Sequence, residues 1–108
     1  MYKTLFALSV LTLLTAQARV YKGQKEYIKS CKECHNNGQE MTSSKVADSW
    51  IEMMNFEGKA LADLHLKSKK AKASWSYFKS KKYRKKSKDL KDFMVEYAKD
   101  SGNIPACD

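Results

Sequence analysis

The residue types best suited to chemistry stand together at residues 31–35, which read Cys-Lys-Glu-Cys-His. Two cysteines three positions apart, followed directly by a histidine, are the attachment signature of c-type haem. This spacing places Cys31 and Cys34 within one helical turn, where their thiols can form thioethers with the two vinyl groups of one porphyrin. The adjoining His35 can then supply the proximal ligand of the iron. The motif therefore predicts one covalent haem c.

Three other interpretations of the paired cysteines are less favoured. A thioredoxin-like redox pair requires a βαβ context, which the sequence does not show. A structural zinc site needs four ligands, and the remaining candidates, His65 and Cys107, do not form a second ligand pair. A disulfide between Cys31 and Cys34 stays open as an alternative.

The N-terminal segment has the composition of an export signal. A positively charged start precedes an apolar stretch at residues 5–14, and an Ala-x-Ala pattern ends at Ala18. The apolar run is shorter than the roughly 20 residues that span a bilayer, so an uncleaved anchor is less favoured. We therefore expect a signal peptide at residues 1–18, cleavage after Ala18, one domain at residues 19–108 and a periplasmic location, where haem attachment takes place.

Length and composition limit the classes of protein to which the chain can belong. The chain has 108 residues and a formal net charge of +9, and no apolar run is long enough for a multi-pass membrane protein. Three cysteines cannot all pair within one chain, which excludes a scaffold built only of intramolecular disulfides. The third, Cys107, is read as a free thiol in the tail, with a disulfide to a partner or to a second copy as the alternative. A chain this short often completes its core with a cofactor.

Hydrophobic spacing predicts an all-α fold without strands. Apolar residues recur at the helical period along most of the chain, and the last helix carries a stripe of Leu90, Phe93, Met94 and Tyr97. The predicted helices cover residues 23–34, 45–66 with an interruption at 55–58, 73–83 and 88–100.

The order of these features resembles the class I cytochromes c. Gly23 and Tyr27 precede the haem cysteines at the spacing that this family uses for a glycine and an aromatic residue. In the family, the glycine lets the last helix cross the first closely, and the aromatic ring packs at the crossing. The resemblance covers both ends of the chain. It implies a small class I-like helical fold wrapped around one haem.

The same resemblance implies an electron carrier rather than an enzyme. Such a protein passes single electrons to or from a periplasmic oxidoreductase, molybdenum enzymes included, and can serve as its cytochrome subunit. The iron then cycles between its ferric and ferrous states without forming bonds to a substrate.

The second axial ligand of the iron departs from the family pattern. Class I cytochromes place a methionine in the loop before the last helix, whereas residues 67–88 contain none. His65 lies on an apolar face, and the 30 residues that separate it from His35 are enough to wrap the ring. We therefore expect His65 as the distal ligand. The alternative ligands are Met41, Met53, Met54 or a lysine. An open sixth position would instead make the chain a haem protein for gas binding or peroxidase activity.

Residues 67–88 contain 11 Lys or Arg and no acid, interleaved with aromatic residues. In a cytosolic protein this pattern would suggest nucleic acid, but export and haem disfavour that partner. We expect a docking site for an acidic redox protein or oxidoreductase, because opposite potentials accelerate encounter and leave the complex weak. A peripheral contact with an anionic membrane surface, or a merely solvated face, is the alternative. The predicted docking residues are Lys81, Lys82, Arg84, Lys85 and Lys86.

Overall fold

The structure is a computed structural model that describes the backbone of residues 2–107 and the side chains of residues 15–107. Within this range the chain is helical and has no strands, which confirms the predicted all-α class. The helices are α1 (Tyr2–Ser30), α2 (Gly38–Thr42), α3 (Ala47–Leu66), α4 (Trp75–Phe78) and α5 (Lys81–Glu96), with a 3₁₀ segment at Lys69–Ser74. Most side chains of the predicted signal peptide, residues 1–18, lie outside this description. Among the described residues, no helix has the length and apolar character needed to cross a membrane.

The central contact of the fold is the crossing of α1 and α5. A Cβ atom at Gly23 would collide with the carbonyl group of Asp89 and with the Cβ of Phe93, so only glycine permits this approach. One turn further along α1, the fully buried ring of Tyr27 lies 5.9 Å from that of Phe93. The glycine and the aromatic residue therefore both lie at the crossing of the first helix and the last.

The core fills the space between α1, α3 and α5. Its largest buried side chains are Tyr27, Trp50, Met54, Phe78, Tyr83, Leu90, Phe93 and Met94. The indole N–H of Trp50 donates a hydrogen bond of 2.8 Å to the carbonyl of Thr42, which fixes α2 against α3. Ile28, which follows the buried Tyr27 on α1, is 40% exposed. Its position is rotated by about 100° from Tyr27, at the edge of the packed stripe.

The predicted interruption of α3 at residues 55–58 is confirmed. Phe56 and Gly58 have φ values of +53° and +70°, in the left-handed region. Two side chains of α5 fix the kink: the hydroxyl of Tyr83 donates to the Gly58 carbonyl at 2.6 Å, and Lys91 Nζ donates to Asn55 Oδ1 at 2.9 Å. The second half of α3 is therefore oriented by α5.

Several predicted helix boundaries are wrong. The first helix begins at Tyr2 rather than at residue 23, α4 covers only Trp75–Phe78 of the predicted 73–83, and α5 ends at Glu96 rather than at residue 100. The first helix ends at Ser30, so residues 31–34 form hydrogen-bonded turns instead of its last helical turn. The last helix begins at Lys81 rather than at residue 88. The side chain of Ser80 accepts a hydrogen bond from the amide of Tyr83 at 3.2 Å, which is the usual role of a serine N-cap. Apolar spacing alone does not detect such a polar start signal.

Candidate functional site

The segment 31–35 leaves α1 through two tight turns. The amide of Cys31 donates to the Tyr27 carbonyl at 2.8 Å, and the amides of Cys34 and His35 donate to the Cys31 carbonyl at 3.2 and 3.1 Å. The buried hydroxyl of Tyr27 donates to the carbonyl of Asn36, directly after the histidine. Tyr27 therefore links the crossing of α1 and α5 to the turns that carry both thiols and the imidazole.

A cavity of about 500 Å³ opens beside these turns. Its lining includes Cys31, Cys34 and His35 from the motif, together with His65 from the last turn of α3 and Phe78 from α4. Other apolar lining residues are Met41, Trp50, Met53, Leu61, Leu64 and Met94. Ligand pockets commonly measure about 300–1,000 Å³ and are mostly apolar with a few polar groups. The structure thus brings the four residues that the sequence nominates for haem binding to one cavity of suitable size.

The two histidines that line this cavity lie close to one another. The centroids of the His35 and His65 rings are 5.9 Å apart, and their planes are inclined by 75°. Two imidazoles on opposite sides of one metal would have centres about 6.2 Å apart, given metal–nitrogen bonds of about 2.0 Å and about 1.1 Å from nitrogen to ring centre. The distance between the ring centres is therefore compatible with two imidazoles that bind one metal ion.

Hydrogen bonding and burial favour the protonation states that metal ligands need. His65 Nδ1 lies 2.8 Å from the carbonyl oxygen of Leu61. Because a carbonyl can only accept, Nδ1 carries a proton, which leaves Nε2 as the nitrogen of His65 that can bind a metal. Burial lowers the pKa of His35, and repulsion from His65 lowers it further. The surroundings of His35 therefore favour a neutral imidazole.

The surroundings of Cys31 disfavour a redox dithiol. Burial raises the pKa of the Cys31 thiol to about 12, with further contributions from Glu26 and Cys34. Reactive cysteines in redox motifs have a lowered pKa, because the thiolate is the nucleophile. Within the described part of the chain, Cys31, Cys34 and Cys107 are all free thiols. No group of three or more His, Cys, Asp or Glu residues able to hold a metal ion is found among the described residues. A haem iron needs only one or two protein ligands, because the porphyrin supplies the others.

The structure separates the methionine alternatives. Met41 and Met53 line the cavity and remain possible distal ligands. Met54 was considered with them, but it is 2% exposed, belongs to the core, and lies outside the described lining. Met53 and Met54 are adjacent, so the helix turns one toward the cavity and the other toward α5. Met94, which the sequence assigns to the core, is buried and also borders the cavity.

No protein-family model, curated protein or solved structure matches this chain. The site is therefore interpreted from its own residues and geometry.

The predicted docking residues lie at the start of α5. Their side chains are exposed except for that of Lys86, which is half-buried. As far as the described residues define it, the lining of the cavity includes none of them. Two other lysines, Lys45 and Lys70, do line it. Lys70 belongs to the basic stretch, so its charge is visible in the sequence. Its position at the cavity could not be predicted.

The C-terminal tail lies against α1. Gln24 Nε2 donates to the carbonyl of Ala106 at 2.8 Å, and the neighbouring Cys107 is exposed. Cys107 lies outside the described lining of the cavity. It is therefore accessible for the intermolecular disulfide that the sequence left as an alternative.

Proposed function

We propose that the chain is a periplasmic monohaem c-type cytochrome with a class I-like helical fold, and that it carries single electrons to or from an oxidoreductase. The observation that carries this proposal is the convergence of Cys31, Cys34, His35 and His65 on one largely apolar cavity. Three of these residues form a specific haem-attachment motif, whereas the fourth comes from a helix that begins 12 residues later.

Each of the four residues has a defined role in this proposal. Cys31 and Cys34 would hold the porphyrin through thioether bonds, and His35 and His65 would bind the iron on its two faces. Haem, when bound, supplies a reversible one-electron couple at its iron. Two imidazoles give a lower reduction potential than one imidazole and one thioether, because methionine ligation raises the potential.

The cavity lining supports a carrier rather than an enzyme. Apolar side chains such as Trp50, Met53 and Leu61 line the space beside the histidines. If His35 and His65 both bind the iron of a haem, no position would be left there for a substrate. Such a site would supply one-electron, outer-sphere transfer.

The proposed partner is an acidic redox protein or oxidoreductase, such as a molybdenum enzyme. The exposed cationic side chains at the start of α5 support this choice, because they present positive charge without paired acids in the first turn of the helix. Complementary charge steers encounter while permitting rapid release. The export signal at residues 1–18 supports the periplasmic location.

Expression with the full chain in a host that attaches haem tests the cofactor first. The exported protein should be red, and its mass should exceed that of the polypeptide by one haem. A colourless protein with the mass of the bare polypeptide would overturn the proposal.

The His65→Ala variant then tests the distal ligand. It should convert a low-spin ferric spectrum to a high-spin one, whereas Met41→Leu and Met53→Leu should leave the low-spin spectrum unchanged. If one of the methionine variants produces the high-spin spectrum instead, the assignment of His65 is wrong. A wild-type protein that is already high-spin and binds cyanide rapidly would favour gas binding or peroxidase chemistry.

A further inference from the structure

The backbone of the turn that carries His65 is bound by an indole. Trp75 Nε1 lies 2.8 Å from the carbonyl oxygen of His65 and 3.2 Å from that of Ser68, so its single N–H is shared between the two. The carbonyls of the last helical turn lack partners within the helix, and α3 ends at Leu66. Trp75 therefore binds α3 at the turn from which His65 projects.

The imidazole itself is held by a second residue of the same short helix. The ring of Phe78 is stacked on that of His65, with centroids 4.1 Å apart and planes inclined by 25°. Trp75 and Phe78 are three positions apart, so they lie on neighbouring positions of one face of α4. This helix consequently contacts both the main chain and the side chain of His65.

The helix α4 is in turn connected to the helix that leads to the motif. Tyr77 donates a hydrogen bond of 2.7 Å to Oε1 of Glu26, a buried carboxylate on α1. Ser30, the last residue of α1, donates to the same oxygen at 3.0 Å. A continuous set of contacts therefore runs from α1 through α4 to His65.

The segment between α3 and α4 offers little other support. Every residue of the 3₁₀ segment Lys69–Ser74 is at least partly exposed, and the neighbouring Leu64 is 55% exposed. His65 is therefore held by α4, by the hydrogen bond from its own Nδ1 to Leu61, and by the Ser68 amide, which donates to its carbonyl at 3.1 Å.

We propose that Trp75 is a positioning residue for the distal ligand: it fixes the turn that carries His65, while Phe78 fixes the imidazole plane. This inference rests on the proposed function, because it concerns the ligand of the haem iron. A histidine held in this way would dissociate rarely from the iron of a bound haem.

The test compares Trp75→Phe with Tyr83→Phe in the haem-loaded protein. Each substitution removes one side-chain donor to a main-chain carbonyl of α3, His65 in the first variant and Gly58 in the second. Cyanide can bind the ferric iron only after the distal ligand leaves, so its rate of binding reports how often His65 dissociates. Loss of one hydrogen bond should raise this rate about three- to tenfold in Trp75→Phe. Tyr83→Phe keeps the ring and loses a bond at Gly58, seven residues before His65, so it should raise the rate much less. His65→Ala gives the upper limit.

Equal cyanide rates in Trp75→Phe and Tyr83→Phe would overturn the inference. If Trp75→Phe does not fold, the Phe78→Leu variant replaces it in the test. Without the stacked ring of Phe78, the His65 imidazole should rotate. This rotation should shift the g values of the low-spin electron paramagnetic resonance spectrum and accelerate cyanide binding. An unchanged spectrum and an unchanged rate in that variant would also overturn it. A wild-type protein without haem would be a failure of the proposed function, and the mass identifies that case separately.

Discussion

The two thiols of the motif differ in their surroundings, and this difference is testable in the haem-free chain. Cys34 is exposed, whereas Cys31 is half-buried and its pKa is raised to about 12. Alkylation requires an accessible thiolate. In the haem-free chain at pH 8, iodoacetamide should therefore modify Cys34 at least about tenfold faster than Cys31. Mass spectrometry of the two labelled sites measures both rates. Exposed Cys107 is the control for ordinary reactivity, and equal rates at Cys31 and Cys34 would contradict the structure.

The same buried thiol gives the haem-free chain an alkaline limit of stability. The pKa of Cys31 is about 12 in the folded chain against an ordinary value of 9.0, so the folded chain keeps a proton that the unfolded chain releases. Its contribution to stability is complete below pH about 9 and is lost as the pH rises to about 12. The urea midpoint should fall across this window. Cys31→Ser should reduce the slope of the urea midpoint against pH, and an identical slope in both chains would exclude the thiol as its cause. Burial also raises the pKa values of Tyr77 and Tyr83, so part of the slope should remain.

At the scale of elements, the crossing of α1 and α5 depends on one absent side chain. Gly23→Ala would force a Cβ into the Asp89 carbonyl group and the Phe93 Cβ. The two helices would have to separate, which should cost about 2–3 kcal/mol in the free energy of unfolding. Lys22→Ala is the control, since the neighbouring Lys22 is exposed. Urea denaturation of the two variants should differ by most of that cost, and a similar midpoint for both would show that the crossing tolerates a methyl group.

At the kink in α3, a substitution to glycine is expected to stabilise the fold. Phe56 has a φ of +53° and is 87% exposed, so it bears the strain of a left-handed backbone without burying its ring. Phe56→Gly should therefore stabilise the fold by about 1 kcal/mol. Ala60→Gly introduces the same residue at an exposed helical position and should destabilise it by about 1 kcal/mol. Thermal unfolding of the pair checks the signs. Destabilisation by both substitutions would mean that the Phe56 side chain contributes contacts that outweigh its strain.

The elements show which parts of the fold could be predicted from local sequence. The interruption of α3 was predictable because Asn55 and Gly58 are poor helix residues that favour turns. The early start of α5 depends on Ser80, a polar capping residue that carries no apolar periodicity. The role of Trp75 depends on carbonyls seven and ten residues earlier, brought near by a lysine-rich 3₁₀ segment. No local pattern encodes that contact.

At the scale of the whole molecule, the candidate site combines three residues that are close in sequence with one that lies 30 residues further along the chain. Cys31, Cys34 and His35 could be predicted because the chemistry of haem attachment fixes their spacing. His65 could be nominated only because few other ligands were available, since its approach to His35 depends on how α3 and α4 pack. Lys45 and Lys70 at the cavity could not be chosen among the many lysines, because charge is visible in a sequence but position is not.

The last prediction concerns the positive charge at the start of α5. The first turn of α5 contains no acid, although a helix N-terminus favours negative charge. Reversing the charge at Lys81 and Lys82 should therefore stabilise the helix by about 0.3–1 kcal/mol per residue. If these residues serve docking, combined reversal at Lys81, Lys82, Lys85 and Lys86 should nevertheless slow electron exchange with an anionic partner. Ferricyanide, an anionic oxidant, can represent that partner, and its rate should fall about tenfold at low salt.

A matched variant separates a local docking surface from net charge. Reversal of Lys22, Lys25, Lys29 and Lys99, which are all exposed and lie outside the basic stretch, changes the total charge equally. It should slow ferricyanide much less, because these four charges are divided between α1 and the C-terminal segment and do not form one cluster at the start of α5. Screening limits the influence of each charge to about 10 Å at 0.1 M salt. Stopped-flow rates at several salt concentrations and thermal unfolding of both variants provide the measurements. Equal slowing by the two variants, or a slowing that persists at high salt, would show that the start of α5 is not the docking surface. A variant at the start of α5 that is slower yet more stable would indicate that these lysines are kept for binding rather than for folding.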